Sequence, residues 1–411
     1  MFCWSRNRSN FTVETLRFLT VSQALEDIAV FVAFIRKRFK LEKNKLFVFG
    51  ASYGGTLAAL FRRKYPHLTD AAVAMSAPMK RDYENKDFLP SIGKKLKKTD
   101  IMCYKQIELG LRQATRLLEN HICNKRELPL CNKIRENLGL CSSLKGMTPL
   151  ERRLFFGTIA KDFTFLTEYN GLLNATVKNI CDVIAHPNIA AWSPLDKLLA
   201  GDIVISKELF MSKVRSGECL PTKKQDICEY LSNVTIKHNA VATGKRQRLW
   251  QSCSELGSFP TSNGDSKQHP FGGVDVLPFS YFADFCYCAF GHPLTSPFIK
   301  QRIDAFTRTF GPSSLSIGTK IIYSIGEDDP RLQRELRSTE KLASKCSKHV
   351  DENRIFIAKG SAHCGEVFLK PATKRRMKPR RVSVVQERIV EQLGRWLHLS
   401  ALVGNKTKSI D

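Results

Sequence analysis

Gly50-Ala51-Ser52-Tyr53-Gly54 stands where the apolar run Lys45–Gly50 gives way to the helical pattern Thr56–Pro66. A serine hydroxyl is a weak nucleophile unless a base and a shaped backbone activate it. A G-x-S-x-G on a sharp strand-to-helix turn supplies the shape. The serine is held in a strained conformation, the flanking glycines let strand and helix approach closely, and the amide of the next residue faces a developing oxyanion. The helix N-terminus adds its partial positive charge at the same place. As a bare string the pattern also fits an ordinary structural turn; its setting between strand and helix favours chemistry at Ser52.

Such a serine needs a base and an orienting acid, in the chain order serine, aspartate, histidine. Ser324-Ile325-Gly326-Glu327-Asp328-Asp329-Pro330 follows one apolar run, and Gly360-Ser361-Ala362-His363-Cys364-Gly365 follows another. Pro330 disfavours helix at Asp329 and keeps it in a loop, so Asp329 is preferred to its neighbour Asp328 as the acid. Small residues around His363 leave its ring free to reach. The chain has nine histidines; His349 and His398 stand in polar or helical surroundings, whereas His363 follows a strand. Ser52, Asp329 and His363 are therefore the candidate catalytic set, with the Tyr53 amide as oxyanion donor. This chemistry calls for no metal and no cofactor.

The elements that must hold these residues are readable around them. Residues 21–39 carry apolar groups at helical spacing with acids early and bases late, an order that suits the helix dipole. Residues 45–50 and 70–78 read as buried strands flanking the helix stopped by Pro66, a parallel α/β unit. From about Lys80 to Phe298 the strand-like runs vanish and amphipathic helices such as 104–119 and 227–234 dominate, with most of the cysteines among them. Strands return at 319–325 and 353–360, and 384–399 reads as a closing amphipathic helix. The expected fold class is α/β, split by a helical insertion: residues 1–80, a cysteine-rich helical segment 81–298, and residues 299–411.

The 411 residues are 43% hydrophobic, enough for a sizeable core, so wholesale disorder is excluded. The 13 cysteines contain no C-x-x-C, and Cys286-Tyr287-Cys288 has no second pair at zinc-knuckle spacing. Their scatter reads as disulfides in an oxidising compartment, with at least one thiol left over. N-glycosylation sequons at Asn7, Asn10, Asn174, Asn233 and Asn405 agree with a secretory route. In the beginning MFCWSRNRSNFTVETLRF no apolar run of the length a signal peptide uses directly follows Arg6 and Arg8, and the apolar stretch Ile28 to Ile35 is too short to span a bilayer. A net charge of +26 points to a polyanion partner or to dispersed solubilising charge. Its densest part is Lys370 to Arg381, which also suits a solvated insert, a nuclear-localisation patch or a processing site; no aromatic interleaves it, against single-stranded nucleic acid.

The segments FTVETLRFLTVSQALEDIAVFVAFI and FGASYGGTLAALFRRKYPHLTDAAVAMSAPM, then Trp250-Gln251-Ser252-Cys253-Ser254-Glu255, Phe290-Gly291, Asp329-Pro330 and Gly360-Ser361-Ala362-His363-Cys364, span nearly the whole chain. Together they resemble the serine carboxypeptidase family that includes lysosomal Pro-X carboxypeptidase, dipeptidyl peptidase II and thymus-specific serine protease. The resemblance implies an α/β-hydrolase domain with an inserted helical domain, and exopeptidase cleavage after a proline or small residue near a peptide end. It implies Ser52 as nucleophile, Asp329 as acid, His363 as base and Tyr53 as oxyanion donor. Trp250, Glu255 and Arg331 fall at substrate-binding positions, and Cys253 with Cys286 falls on a bridged pair.

The departures carry their own expectations. Relatives have about a hundred residues, including the first strands and a glycine-rich loop, ahead of the segment at which this sequence starts. The expectation is an N-terminally truncated member with an uncovered sheet edge and one oxyanion amide fewer, a loss that typically costs about 10²–10³ in rate. Arg331 replaces a tryptophan that helps wall the proline pocket, and Gly365-Glu366 stands where an aspartate usually follows the His-Cys pair. The expected partner is a peptide substrate, in a lysosomal or extracellular setting. A homodimer and a polyanion at 370–381 are further partner readings. The alternative function is a catalytically degenerate relative that binds polyanions through its basic surface.

Overall fold

A computed structural model of the chain describes residues 10–119, 123, 129–172, 175–209, 219, 222–235, 239–262, 268–271, 277–311, 314–337, 353–367 and 380–397. Two compact units divide the chain: Phe18–Arg81 with Phe306–Asp411, and Met1–Arg17 with Asp82–Ala305. After a single turn of helix at Val13–Leu16 come α1 (Val21–Phe39), β1 (Phe47–Ala51), α2 (Tyr53–Lys64) and β2 (Ala71–Met75). Helices α3 (Phe88–Thr99), α4 (Ile101–Glu119), α5 (Pro149–Glu168), α6 (Val177–Ile184), α7 (Pro194–Leu209) and α8 (Phe279–Phe290) follow. The chain closes with β3 (Ile321–Gly326), β4 (Arg354–Ala358) and α9 (Arg380–Trp396).

The first unit is built on a parallel sheet of order β1-β2-β3-β4. Its strands are short runs of Ala, Val, Ile and Phe, the composition expected where both faces of a parallel sheet are covered. Every residue of β3 is buried. Alternation along the strands turns Ala71 and Val73 of β2, Ile322 of β3 and Ala358 of β4 into one cluster with Val385, Ile389, Leu393 and Trp396 of α9. Those four recur at helical spacing, so α9 lays a single apolar stripe on the sheet. Helix α1 begins at Thr20, whose hydroxyl accepts the Gln23 amide, and ends at Lys40 with φ 55° after Arg36, Lys37 and Arg38. Basic groups there meet the negative end of the helix dipole.

β1 is an edge strand, and among the described residues nothing pairs with its outer side. Phe49 on that strand is 57% exposed, and α1 keeps Val30, Phe31 and Phe34 exposed as well.

In the second unit every regular element described between Asp82 and Ala305 is helical. Its core gathers Phe88, Ile92, Ile107, Phe155, Phe163 and Leu198, among others, from α3, α4, α5 and α7. Helix α5 has a capping box, Thr148 and Glu151 satisfying each other's backbone amides, with Pro149 at the first position where its missing N–H costs nothing. Disulfides lace the helices: Cys103–Cys181 joins α4 to α6, Cys123–Cys131 closes a short loop, and Cys141 bonds Cys219. Cys228–Cys288 and Cys253–Cys286 both end on α8, so the two cysteines flanking Tyr287 have different partners. Cys364 alone among the described cysteines keeps a thiol; Cys3 and Cys346 lie outside the described residues. Replacing Cys103 and Cys181 by serine opens a long loop, and the expected loss is about 2–5 kcal/mol of stability, read by urea unfolding.

No helix among the described residues is long and apolar enough to cross a membrane. The basic run 370–381 lies outside the described residues, except that the backbone of Arg380 and Arg381 opens α9. The sequons at Asn7, Asn174 and Asn405 also lie outside them.

Candidate active site

Strand β1 hands its last residue to Ser52, whose φ of 54° and ψ of −123° no residue with a side chain adopts without strain. The turn is held from both sides. The Ser52 amide donates to Met75 O on β2 at 2.9 Å, and its carbonyl accepts the Thr56 amide of α2 at 3.1 Å. Gly50 is needed because a Cβ there would lie 2.0 Å from Gly54 O. Gly55 is needed for a similar reason, its Cβ meeting Ala77 Cβ and Met75 O at 2.9 Å. A Cβ on Gly54 would meet nothing within 4 Å. Close approach of strand and helix therefore rests on Gly50 and Gly55, not on the second glycine of the pentapeptide as the motif alone suggests. Gly50→Ala is expected to cost about 1–3 kcal/mol or more, measured by thermal and denaturant unfolding, because backbone rather than a flexible side chain must give way.

β3 ends at Gly326, and the loop beyond it is laced to the histidine loop. The Glu327 and Asp328 amides donate to Ala358 O and Ser361 O at 3.0 and 2.9 Å, and Glu327 Oε2 accepts the Gly360 amide at 2.9 Å. A Cβ on Gly326 would sit 2.6 Å from both Ser361 O and Ala362 O, so only glycine allows this contact. Asp329 is wholly buried, and Asp329 rather than Asp328 meets the imidazole. Its Oδ1 accepts the Arg331 amide at 2.9 Å, its carbonyl accepts Gln333 Nε2 at 2.8 Å, and its Oδ2 lies 2.7 Å from His363 Nδ1.

His363, 1% exposed, spans the two partners: Nε2 is 2.9 Å from Ser52 Oγ, while Nδ1 faces Asp329. A carboxylate can only accept, so in the neutral ring Nδ1 carries the proton and Nε2 accepts from the serine hydroxyl. Burial opposes charging the ring, but the Asp329 charge and hydrogen bond, joined by the Cys364 thiol, push its pKa from 6.5 up to about 10. The arrangement can take a proton from Ser52 and stabilise the resulting imidazolium.

Arg331 is half-buried and contributes its backbone amide to Asp329. Trp250 and Glu255 belong to the helical unit. Trp250 packs edge-on against Phe290 with ring centroids 5.2 Å apart, and Glu255 is buried in the π-helical turn Ser252–Leu256 beside the Cys253–Cys286 bridge. Sequence reasoning missed Gly326, Glu327 and Ser76, which order the loops around the acid and the histidine. The signal for Gly326 was present, a glycine closing an apolar strand just before the acid.

Ser52, Asp329 and His363 each follow the C-terminal end of a strand of one parallel sheet, the rim where such sheets carry their sites. A hydroxyl, an imidazole and a buried carboxylate are joined in series there, the arrangement that a serine nucleophile needs. The chain belongs to the serine carboxypeptidase S28 family, whose sequence profile matches residues 2–375. A Caenorhabditis elegans relative is 24% identical over 395 residues, covering 95% of this chain and 72% of its own. The thymus-specific serine protease of Mus musculus is 26% identical over 393 residues, 93% of this chain and 70% of its own. The lysosomal Pro-X carboxypeptidase of Bos taurus is 25% identical over 336 residues, covering 77% of this chain but 58% of its own length. The relatives are thus serine proteases and carboxypeptidases by name, and the disulfides of this chain fit a protein of the secretory pathway.

Proposed function

We propose that the protein is a serine-type exopeptidase of the lysosome or extracellular space, acting after a proline or small residue near a peptide end through an acyl-enzyme. In this reading an α/β-hydrolase domain, interrupted by the helical segment, carries the chemistry. Ser52 Oγ attacks the scissile carbonyl carbon while His363 Nε2 takes the hydroxyl proton. The Tyr53 amide, at the first position of α2 where helix amides lack intrahelical acceptors, stabilises the oxyanion. Asp329 holds the imidazole tautomer and balances its positive charge. The tetrahedral intermediate then collapses, the C–N bond breaks, and the amine leaves with the proton from His363. Water, deprotonated by the same imidazole, hydrolyses the Ser52 ester and releases the acid product.

The observation that carries this reading is the unbroken series from Ser52 Oγ through His363 to Asp329, at 2.9 and 2.7 Å, with both later members buried. The name lysosomal Pro-X carboxypeptidase borne by a relative supports action after proline. Arg331 is the residue expected to modify that preference. The test is incubation with an active-site-directed fluorophosphonate followed by peptide mapping, together with a panel of short peptides carrying proline or alanine next to either end. Label on Ser52 and release from one end only are expected; an unlabelled chain would sink the reading.

The +26 charge and the run 370–381 favour a second reading, a non-catalytic polyanion-binding relative. It requires heparin retention that disappears when residues 374–381 are neutralised, in a chain the fluorophosphonate does not touch. Retention that survives neutralisation removes the run as the cause.

A further inference from the structure

Glu366 is a buried carboxyl that the reaction described above does not use. It is 1% exposed, and its Oε1 accepts two hydroxyls, Ser76 Oγ at 2.9 Å and Ser324 Oγ at 2.8 Å, while Oε2 has no hydrogen-bond partner. Ser76 follows β2 and Ser324 lies on β3, both wholly buried. The Ser76 hydroxyl also accepts the Cys364 amide at 2.9 Å, and the Ser76 amide donates to Ser324 O at 2.8 Å. From the other side, Gln386 Nε2 of α9 donates to the Glu366 carbonyl at 2.6 Å. One carboxyl thus ties the ends of two central strands to the backbone of the residue directly after His363.

Two of the residues in this tie hold backbone conformations that side chains rarely adopt: Ser76 at φ 44° and Cys364 at φ 59°. Strain of this kind persists only where the surroundings over-determine it. Here the Cys364 N–H to Ser76 Oγ bond joins the two strained residues, and the Glu366 carboxylate orients the hydroxyl so that its lone pair faces that amide. Met75, the residue before Ser76, accepts the Ser52 amide. The same short stretch of chain therefore positions nucleophile and base. A position that needed only to be filled would carry a hydrocarbon, since burying a carboxyl with one oxygen unpartnered is costly. Burial raises its pKa, against the hydrogen bonds it accepts, and the charge of Asp329 pushes the same way.

We propose that Glu366 is a positioning residue for the base: by taking the Ser76 and Ser324 hydroxyls it fixes the backbone at Cys364 and so holds His363 in line between Ser52 and Asp329. It touches neither substrate nor reacting atoms. The proposal rests on the reading of Ser52 as nucleophile, and its test separates the two.

The 411-residue chain and its Glu366→Ala, Glu366→Gln and Ser76→Ala/Ser324→Ala variants are titrated with a fluorophosphonate, with Ser52→Ala as blank. The maximal inactivation rate is resolved from the inhibitor's binding constant. Misplacement of a catalytic group by about 1 Å costs about 10²-fold. Glu366→Ala is therefore expected to lower the maximal rate by about that factor with unchanged inhibitor binding. Glu366→Gln, which keeps an oxygen where Oε1 sits, restores the rate to within about fivefold. Should Glu366→Ala fail to fold, the double serine variant carries the test, with a loss of about tenfold expected. A wild-type rate in Glu366→Ala or in the double variant overturns the proposal. So does a glutamine variant as slow as alanine, or a loss lying wholly in inhibitor binding. A wild-type chain that resists the reagent instead overturns the serine-peptidase reading itself, whereas a labelled wild type with an equally fast Glu366→Ala leaves that reading standing and removes this one.

Discussion

Ser52→Ala is expected to abolish peptide hydrolysis and fluorophosphonate labelling, a fall in turnover of about 10⁶, the scale at which loss of a serine nucleophile leaves only binding and oxyanion stabilisation. The size follows from the site's construction. The hydroxyl that faces His363 Nε2, at 2.9 Å, is Ser52 Oγ. Alanine shares the backbone strain of serine at φ 54°, so the turn should survive the change. Hydrolysis is followed by separation of peptide products, and folding by near-ultraviolet circular dichroism and the melting temperature. A folded Ser52→Ala chain that retains more than about 1% of activity would remove Ser52 from the mechanism.

Asp329→Asn is expected to lower turnover by about 10⁴, because an amide opposite Nδ1 no longer dictates which ring nitrogen carries the proton. It should also move the pH profile. His363 acts as a base only when neutral, so the rate rises as pH passes the imidazole pKa. In the intact site that limb lies above the ordinary 6.5, toward about 10, because Asp329 outweighs burial. Without the Asp329 charge, burial alone pulls the ring down and the limb shifts to lower pH. The same shift has a stability consequence of defined sign. A pKa raised in the folded state contributes stability that is fully present below 6.5 and is lost as pH climbs toward about 10. The Asn variant should lack that slope. Labelling rates and urea unfolding between pH 6 and 9 check both; a limb that stays put in Asp329→Asn would show that another group sets the histidine's pKa.

Much of the positioning scaffold is legible because it is local. The helix expected over 21–39 runs from Val21 to Phe39, and the strands expected at 45–50, 70–78, 319–325 and 353–360 overlap the four strands of the sheet, β1 and β3 each ending one residue later. Short apolar runs bounded by Gly, Asn or Asp announce a buried parallel strand, and Ser52, Asp329 and His363 can be picked out because each closely follows one. Pro330 separates Asp329 from Asp328 by a local steric rule, and the geometry has Asp329 at the imidazole. Gly54 misleads for a local reason too: the pentapeptide marks two glycines, but which ones face a neighbour's backbone depends on how α2 lies against β1 and β2.

By itself, then, the order of residues determined the strands, the helices and the three side chains that could do serine chemistry, since each depends on periodicity or on neighbours a few positions away. Tertiary structure alone decided which strands stand side by side, for Ala72 of β2 pairs with Ile321 of β3 across the whole helical unit. It alone decided that Glu366 takes the hydroxyls of Ser76 and Ser324, and that Cys288 bonds Cys228. Contacts of that range are chosen by packing and by the need to satisfy buried polar groups, and neither leaves a mark in local sequence.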